Sequence, residues 1–276
     1  MKIAVLSGKG GTGKTLVSVN LAAVSGAADY IDCDVEEPNG HLFFKPQKLF
    51  AESVKLKIPV VDYAVCTGCR ECVEFCKFNA LAYIKKLIIF DKVCHSCGGC
   101  VRLCKYKALR EQDKIIGNIE VGKADNVTVY TGILNVGEAS GVPIIRRLLS
   151  LADDCCDTFI DCPPGSACAV MESIKDADYC ALVAEPTVFG LHNLQMVIEL
   201  VKLFEKPHGV ILNKCAGSPN PSEQYCIDNN IAVLGKINYD NELGAINSNG
   251  EIAVNAREKY KTLFLSLLNT IKEAQK

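Results

Sequence analysis

Nowhere in this chain do about 18 apolar residues follow one another, so no transmembrane helix is expected. No signal-peptide pattern is present: an apolar stretch begins at Ile3 and runs directly into a glycine-rich loop. A cytoplasmic location is expected on that ground. Neither sign of charge is in excess. The formal net charge is −2, which gives no global pull toward nucleic acid or an anionic membrane. Neither nucleic-acid binding nor stable membrane insertion is therefore expected. Tryptophan is absent as well, which by itself says little. What the chain has in plenty is cysteine, 16 residues of it. In a small secreted protein that would suggest a disulfide framework, but in a cytosolic chain clustered, evenly spaced cysteines point to metal.

The 276 residues exceed what one domain of about 150 residues needs. Lys2–Leu6 reads as a strand, Ser7–Gly13 as a loop, and Lys14 to Ala27 as a helix; Asp29–Asp32 is a short strand before the turn-rich run Val35–Gly40. Cysteine density then jumps at Cys66 and drops after Cys104. From Asn126 the alternation resumes. Strands are expected at Val127–Leu134, Thr158–Asp161, Tyr179–Ala184, Gly209–Asn213 and Ala232–Ile237. Helices are expected at Pro143–Ala152, Met171–Asp176, Leu191–Glu205, Ser222–Asn229 and Glu258–Glu273. Short apolar strands alternating with helices predict an α/β fold with a mostly parallel sheet covered on both faces. The cysteine-rich stretch interrupts that pattern and reads as an insertion, giving a discontinuous domain over 1–56 and 111–276 and an inserted one over 57–110.

Gly8, Lys9, Gly10, Gly11, Thr12, Gly13, Lys14 and Thr15 fit G-x-x-x-x-G-K-[ST], between an apolar strand and a helix. Glycines let the backbone curl until its N–H groups face phosphate oxygens, and the helix adds its positive end. Lys14 is placed to reach the β- and γ-phosphates, and Thr15 to ligate Mg²⁺. The second lysine, Lys9, makes the loop resemble the deviant Walker A signature of the MinD, ParA and Mrp-type ATPases and the nitrogenase iron protein. That resemblance implies a P-loop ATPase fold, ATP or ADP as ligand, and a homodimer in which Lys9 contacts nucleotide across the interface. It further implies that Asp34 orients the attacking water and the Mg²⁺ shell, that Asp161 is the Walker B carboxylate, and that Asn213 contacts adenine. Asp161 and Asn213 each end an apolar strand, where open α/β sheets bind ligands.

Cys66, Cys69, Cys72 and Cys76 have C-x₂-C-x₂-C-x₃-C spacing, and Cys94, Cys97, Cys100 and Cys104 repeat it at an offset of 28 residues. This is the bacterial ferredoxin pattern for two [4Fe–4S] clusters, in which the fourth cysteine of each run serves the other cluster. One cluster is expected on Cys66, Cys69, Cys72 and Cys104, the other on Cys94, Cys97, Cys100 and Cys76. Structural zinc is the rival, but three close cysteines and a crossed fourth suit a cubane better. Lys77 and Lys105 stand where such ferredoxins usually carry proline, which bears on turn rigidity and reduction potential, not on ligation. Between Val61 and Arg110 there are nine Lys and Arg against four Asp and Glu. That surplus, brought to about +1 by two clusters of about −2 each, fits an acidic redox partner, the acidic remainder of the chain, or a solvated basic face.

Cys168 follows Asp161 by seven residues, as a cluster ligand does in the nitrogenase iron protein, but no second cysteine stands in Thr131–Gly141, so a structural role is expected. The apolar side chains Leu263, Phe264, Leu267 and Ile271 of the last helix are expected to pack on the sheet. The resemblance implies an ATPase whose nucleotide state gates iron–sulfur chemistry, either electron transfer to a redox partner or metal-cofactor assembly. The other reading is a non-catalytic, ATP-dependent dimeric module that senses redox state.

Overall fold

The computed structural model describes residues 1–152, 155–217 and 220–275. Along the chain run β1 (Lys2–Leu6), α1 (Lys14–Ser25), β2 (Ala28–Asp32), α2 (Gly40–Phe44), β3 (Gln47–Val61), α3 (Glu71–Phe75), β4 (Leu81–Tyr83) and β5 (Leu87–Ile89). Then come α4 (Gly99–Leu103), β6 (Leu109–Ala124), β7 (Val127–Leu134), α5 (Val142–Leu149), β8 (Asp157–Asp161), α6 (Cys168–Ile174) and β9 (Tyr179–Ala184). The chain closes with α7 (Val188–Leu203), β10 (His208–Cys215), α8 (Pro221–Asp228), β11 (Val233–Asn238), α9 (Asn241–Ser248), α10 (Ala253–Ala256) and α11 (Glu258–Ala274).

Among the described residues a nine-stranded sheet has the order β11-β10-β9-β1-β8-β2-β7-β6-β3. The pairs from β11 through to β7 are parallel. β1, β2 and β9 are buried at nearly every position, as strands covered on both faces must be; β1 and β9 therefore read as apolar runs, while β2 carries the buried Asp29 and Asp32. β6 and β7 are joined by two residues, a connection only antiparallel strands can make. Phe264, Leu267, Leu268 and Ile271 of α11 are buried in the same core as Ile3, Tyr30 and Phe159. Each such side chain contributes about 1.5–3 kcal/mol as an upper estimate, so the last helix is a structural element of the sheet's cover. Among the described residues no helix is long and apolar enough to cross a membrane.

Two compact units divide the chain: 1–52, 119–133 and 141–276 form one, and 53–118 with 134–140 form the other. The second is wider than the stretch 57–110 and gains a segment after β7. The sequence reading missed the long strands β3 and β6 that account for this. β3 is an edge strand, exposed along most of its length, so it carries no apolar periodicity to read. α6 begins at Cys168, three residues before the expected helix, and α9 was not foreseen.

The second unit repeats itself at the 28-residue offset in backbone as well as sequence. α3 and α4 begin after residues in the left-handed region, Arg70 at φ 67° and Gly98 at φ 68°, and end at Cys76 and Cys104 with ψ 100° in both. Asn79 and Lys107 repeat the left-handed turn at φ 54° and 53°. Leu81, Leu87, Cys100 and Leu109 form this unit's own small core.

Candidate functional site

β1 delivers the chain into the loop from Ser7 to Gly13, and α1 takes it away. Gly13 precedes α1 at φ 94°, a conformation L-residues rarely adopt, and a Cβ there would lie 2.1 Å from Asn213 Nδ2. Gly8 is equally constrained, since its Cβ would meet the Asn193 carbonyl oxygen at 2.2 Å. The loop is held from β10: Asn213 Nδ2 donates to the Thr12 carbonyl at 2.7 Å, and Lys214 Nζ donates to the Gly11 carbonyl at 2.6 Å. Among the described residues the N–H groups of Gly10, Gly11, Thr12, Gly13 and Lys14 find no protein acceptor, and the buried Thr12 hydroxyl has no partner. A turn with this many unspent donors at the head of a 12-residue helix is built to receive an anion.

Lys14 lies beneath that turn, 6 % exposed, with Nζ 2.5 Å from Asp161 Oδ1 and 3.9 Å from Asp34 Oδ2. Burial works to lower its pKa, but the carboxylates of Asp161, Asp32 and Asp34 outweigh it and hold the ammonium charged. Asp161 ends β8 and receives a second bond from the Tyr30 hydroxyl at 2.9 Å, both groups being buried. Asp32 is its register partner at the end of β2. Its carboxylate accepts the N–H groups of Asp34, Asn39 and Gly40 at 3.1, 3.0 and 2.8 Å, which ties down the turn that carries Asp34. Burial and the nearby Asp161 push the Asp32 carboxyl up to about 7. Asp34 is also raised, by burial first, though it is 22 % exposed.

Gly10, Gly11, Lys14, Thr15, Asp34 and Asn213 border one cavity of about 560 Å³, within the range of small-molecule sites. Its far wall is Asn238, Tyr239, Asp240 and Leu243, which the sequence reading left out. Asp240 caps α9 and accepts the Tyr260 hydroxyl at 2.8 Å and Lys259 Nζ at 3.0 Å, which holds its pKa down at about 2. Glu185 was also missed. It follows β9, forms an ion pair with Lys9, and stands 3.9 Å from Lys214. Burial pushes its carboxyl up, but the Lys9 ammonium outweighs that and holds it low. The signal for Glu185 was available, since a carboxylate just past an apolar strand is what singled out Asp161. The Asn213 amide is engaged at both ends within the protein, its Oδ1 accepting the Lys214 N–H at 2.9 Å.

The second unit contains two cysteine-lined cavities. One, of about 190 Å³, is bordered by Cys76, Cys94, Cys97 and Cys100. The other is narrow, about 20 Å³, and is bordered by Cys66, Cys69, Cys72 and Cys104. All eight are free thiols. Each fourth cysteine accepts a backbone N–H four residues on, Ala80 to Cys76 Sγ at 3.4 Å and Ala108 to Cys104 Sγ at 3.3 Å. Burial raises the Cys72 thiol and pushes Cys100 up to about 11. Without a metal these two stay protonated at neutral pH, so a metal must displace their protons. Among the described residues no three His, Cys, Asp or Glu side chains are gathered tightly enough to hold a single metal ion. A tetrahedral zinc would draw its sulfurs to within about 4 Å of one another. Cys168 is exposed, whereas Cys33, Cys162, Cys180 and Cys226 are buried.

A protein-family model of the CobQ/CobB/MinD/ParA nucleotide binding domain matches residues 3–254. Two uncharacterized proteins of Methanocaldococcus jannaschii are similar to this chain. One is 32% identical over 273 residues, covering 95% of this chain and 96% of its own length. The other is 30% identical over 220 residues, covering 78% and 80%. Among solved structures, the cell division ATPase MinD of Pyrococcus furiosus superposes with a TM-score of 0.61 at 20% identity, covering 99% of this chain and 98% of that one. The septum site-determining protein MinD of Pyrococcus horikoshii, complexed with Mg-ADP, gives 0.57 at 19% identity, covering 97% and 93%. At such identities these two structures speak for the fold alone.

Proposed function

This chain belongs to the CobQ/CobB/MinD/ParA nucleotide-binding family, and from that premise we propose that it is an ATP-hydrolysing protein with two [4Fe–4S] clusters whose nucleotide state gates electron transfer. The observation that carries the nucleotide part is the loop from Gly10 to Lys14, with five N–H groups lacking a protein acceptor above a charged Lys14. Phosphate oxygens supply what those groups lack. They also compete with Asp161 for the Lys14 ammonium, so nucleotide entry loosens a buried ion pair and the strand ends joined to it. Thr15 and Asp161 would hold Mg²⁺, which when bound neutralises developing phosphate charge. Asp34, held beside the loop by Asp32, is placed to orient the attacking water. Lys9, paired with Glu185 and 36 % exposed, is within reach of a second copy bound across the nucleotide.

The cluster part is supported by the two cavities, each bordered by three cysteines of one run and the fourth of the other. A cubane spreads its thiolates over four iron corners and takes a wider set than one ion does. The Ala80 and Ala108 N–H groups bond the fourth sulfurs in a way that stabilises ligated thiolate. The narrower set must open to admit a cluster; Arg70 and Tyr106 on its wall are exposed and can rotate outward. Four thiols fill all four iron corners of a cubane and leave none open for handing it on. That favours electron transfer over cofactor assembly, where cargo must leave.

The test is anaerobic reconstitution, followed by iron analysis, ATP turnover, and electron transfer compared with ATP, ADP and no nucleotide. Faster transfer with ATP is expected. Equal rates in all three would overturn gating, and nucleotide binding without any hydrolysis would favour the redox-sensing reading.

A further inference from the structure

The second unit carries twelve Lys and Arg against seven Asp and Glu over 53–118 and 134–140, while the whole chain is at −2. Its ion pairs leave that surplus of five unchanged, since four carboxylates and four lysines cancel. Glu71 pairs with Lys105, Asp113 with Lys55 and Lys57, and Asp91 and Glu138 with Lys114. Four carboxylates are thus neutralised in place. Arg70, Lys77, Lys85, Lys86, Lys92, Arg102, Lys107 and Arg110 make no ion pair among the described residues, so although two clusters of about −2 each would bring the unit's net charge near about +1, its unpaired surface cations stay in place.

That surplus is not spread evenly over the two repeats. Around the cavity of Cys66, Cys69, Cys72 and Cys104 stand Arg70, which lines it, and Lys105 and Lys107, which flank the lining residue Tyr106. The matching positions beside the other cavity are Gly98, Lys77 and Asn79, and its wall holds Lys77, Glu111 and Lys57, the last paired with Asp113, so its unpaired charges cancel. Arg70, Lys105, Tyr106, Lys107 and Cys69 are all exposed. The rim therefore combines an aromatic ring, a ring of cations and a solvent-facing thiol.

We propose that this rim docks a separate acidic redox protein, which exchanges one electron at a time with the cluster held by Cys66, Cys69, Cys72 and Cys104. The inference rests on the cluster reading above. In the outward direction the reduced centre goes from [4Fe–4S]¹⁺ to [4Fe–4S]²⁺, and the partner's one-electron centre takes the electron with no bond formed or broken. Cations around an aromatic patch give complementarity to carboxylates, which raises the association rate and selects the partner's sign. A protein fits better than nucleic acid because the charge is gathered at the mouth of the redox site, whereas the chain as a whole has no basic surplus to follow a polyanion.

The experiment uses the reconstituted full chain, with iron content and the reduced-cluster electron paramagnetic resonance (EPR) spectrum measured first. Low iron at that step counts against the cluster reading and leaves docking to the binding data. A flavodoxin, an acidic flavin mononucleotide protein, is the probe; basic cytochrome c and a single-stranded DNA oligonucleotide are the comparisons. Binding is read by calorimetry and electron transfer by stopped flow. The association rate with flavodoxin is expected to fall at least tenfold, by order of magnitude, between roughly 50 mM and about 500 mM salt. The double variant Lys105→Gln/Lys107→Asn should weaken flavodoxin binding about fivefold or more and flatten the salt dependence, with iron and EPR unchanged. Asn already serves the left-handed turn at position 79, so the second change suits the backbone. Salt-insensitive binding, equal or tighter binding of cytochrome c or DNA, or an unaffected double variant would each overturn the proposal.

Discussion

Removing two thiols together tells crossed from uncrossed ligation, and Cys76 is the first to remove. In sequence it belongs with Cys66, Cys69 and Cys72, yet it borders the cavity of Cys94, Cys97 and Cys100. Cys76→Ala should therefore remove the second cluster and spare the first, taking iron from about eight to about four per chain. The local structural penalty is small. Cys76 Sγ accepts one N–H, from Ala80 at 3.4 Å, and leaving that donor unpaired costs about 1–3 kcal/mol. Circular dichroism should show the unit still folded. Pairing the change with a second one separates the two schemes. With crossed ligation Cys76→Ala/Cys94→Ala loses no further cluster and keeps about four irons, whereas Cys76→Ala/Cys66→Ala loses both. Uncrossed ligation reverses these results. The assay is iron and sulfide analysis with EPR of the reduced protein. If Cys76→Ala/Cys66→Ala retained one intact cluster, the reasoning from the cavities would be wrong.

Lys9→Ala should abolish ATP-dependent dimerisation measured by sedimentation while leaving nucleotide bound; an unchanged dimer would refute the sandwich. Asp161→Asn removes the partner of the Lys14 ammonium and should lower ATP turnover by about a hundredfold, since the lost charge organises the reacting site. Gly8→Ala should abolish nucleotide binding in a fluorescence titration, because the new methyl meets backbone at Asn193 and the loop must shift. For pH, the folded Asp32 carboxyl lies near 7 against an ordinary 3.8. Between those values the folded state keeps a proton that the unfolded chain has released. The Asp32 contribution to stability is thus best at the acid end, falls as pH rises through about 7, and stays low above it. Melting curves of nucleotide-free wild type and Asp32→Asn should diverge across that window, with the variant gaining on wild type as pH rises; parallel curves would show that Asp32 does not titrate there.

Much of this protein could be read in its residues before any coordinates. The apolar runs of β1 and β9 are legible because a strand buried on both faces has few polar positions to mask it. The loop from Gly8 to Thr15 is legible because phosphate binding needs glycine and lysine at short fixed intervals, all within one turn of chain. The 28-residue cysteine repeat is legible for the same reason, its ligands being close neighbours in sequence. β3 was not, since an exposed edge strand owes its place to backbone pairing with a distant partner, and β6, its neighbour in the sheet, is exposed over its first half and carries no apolar run there. Tyr239 and Asp240 were not, because each matters only through what lies across the cavity from it.

Local chemistry, then, was settled by sequence alone: which residues can curl around an anion, and which thiols come in sets. Only the folded chain decided which of those groups meet. It put Asp161 of β8 under Lys14 of α1, 147 positions away. It set Glu185 against Lys9, and it brought Asp240 to the wall of the cavity that Lys14 borders. A contact between residues remote in sequence depends on strand order and on which faces are buried, and these are properties of the whole sheet that no short stretch of chain carries.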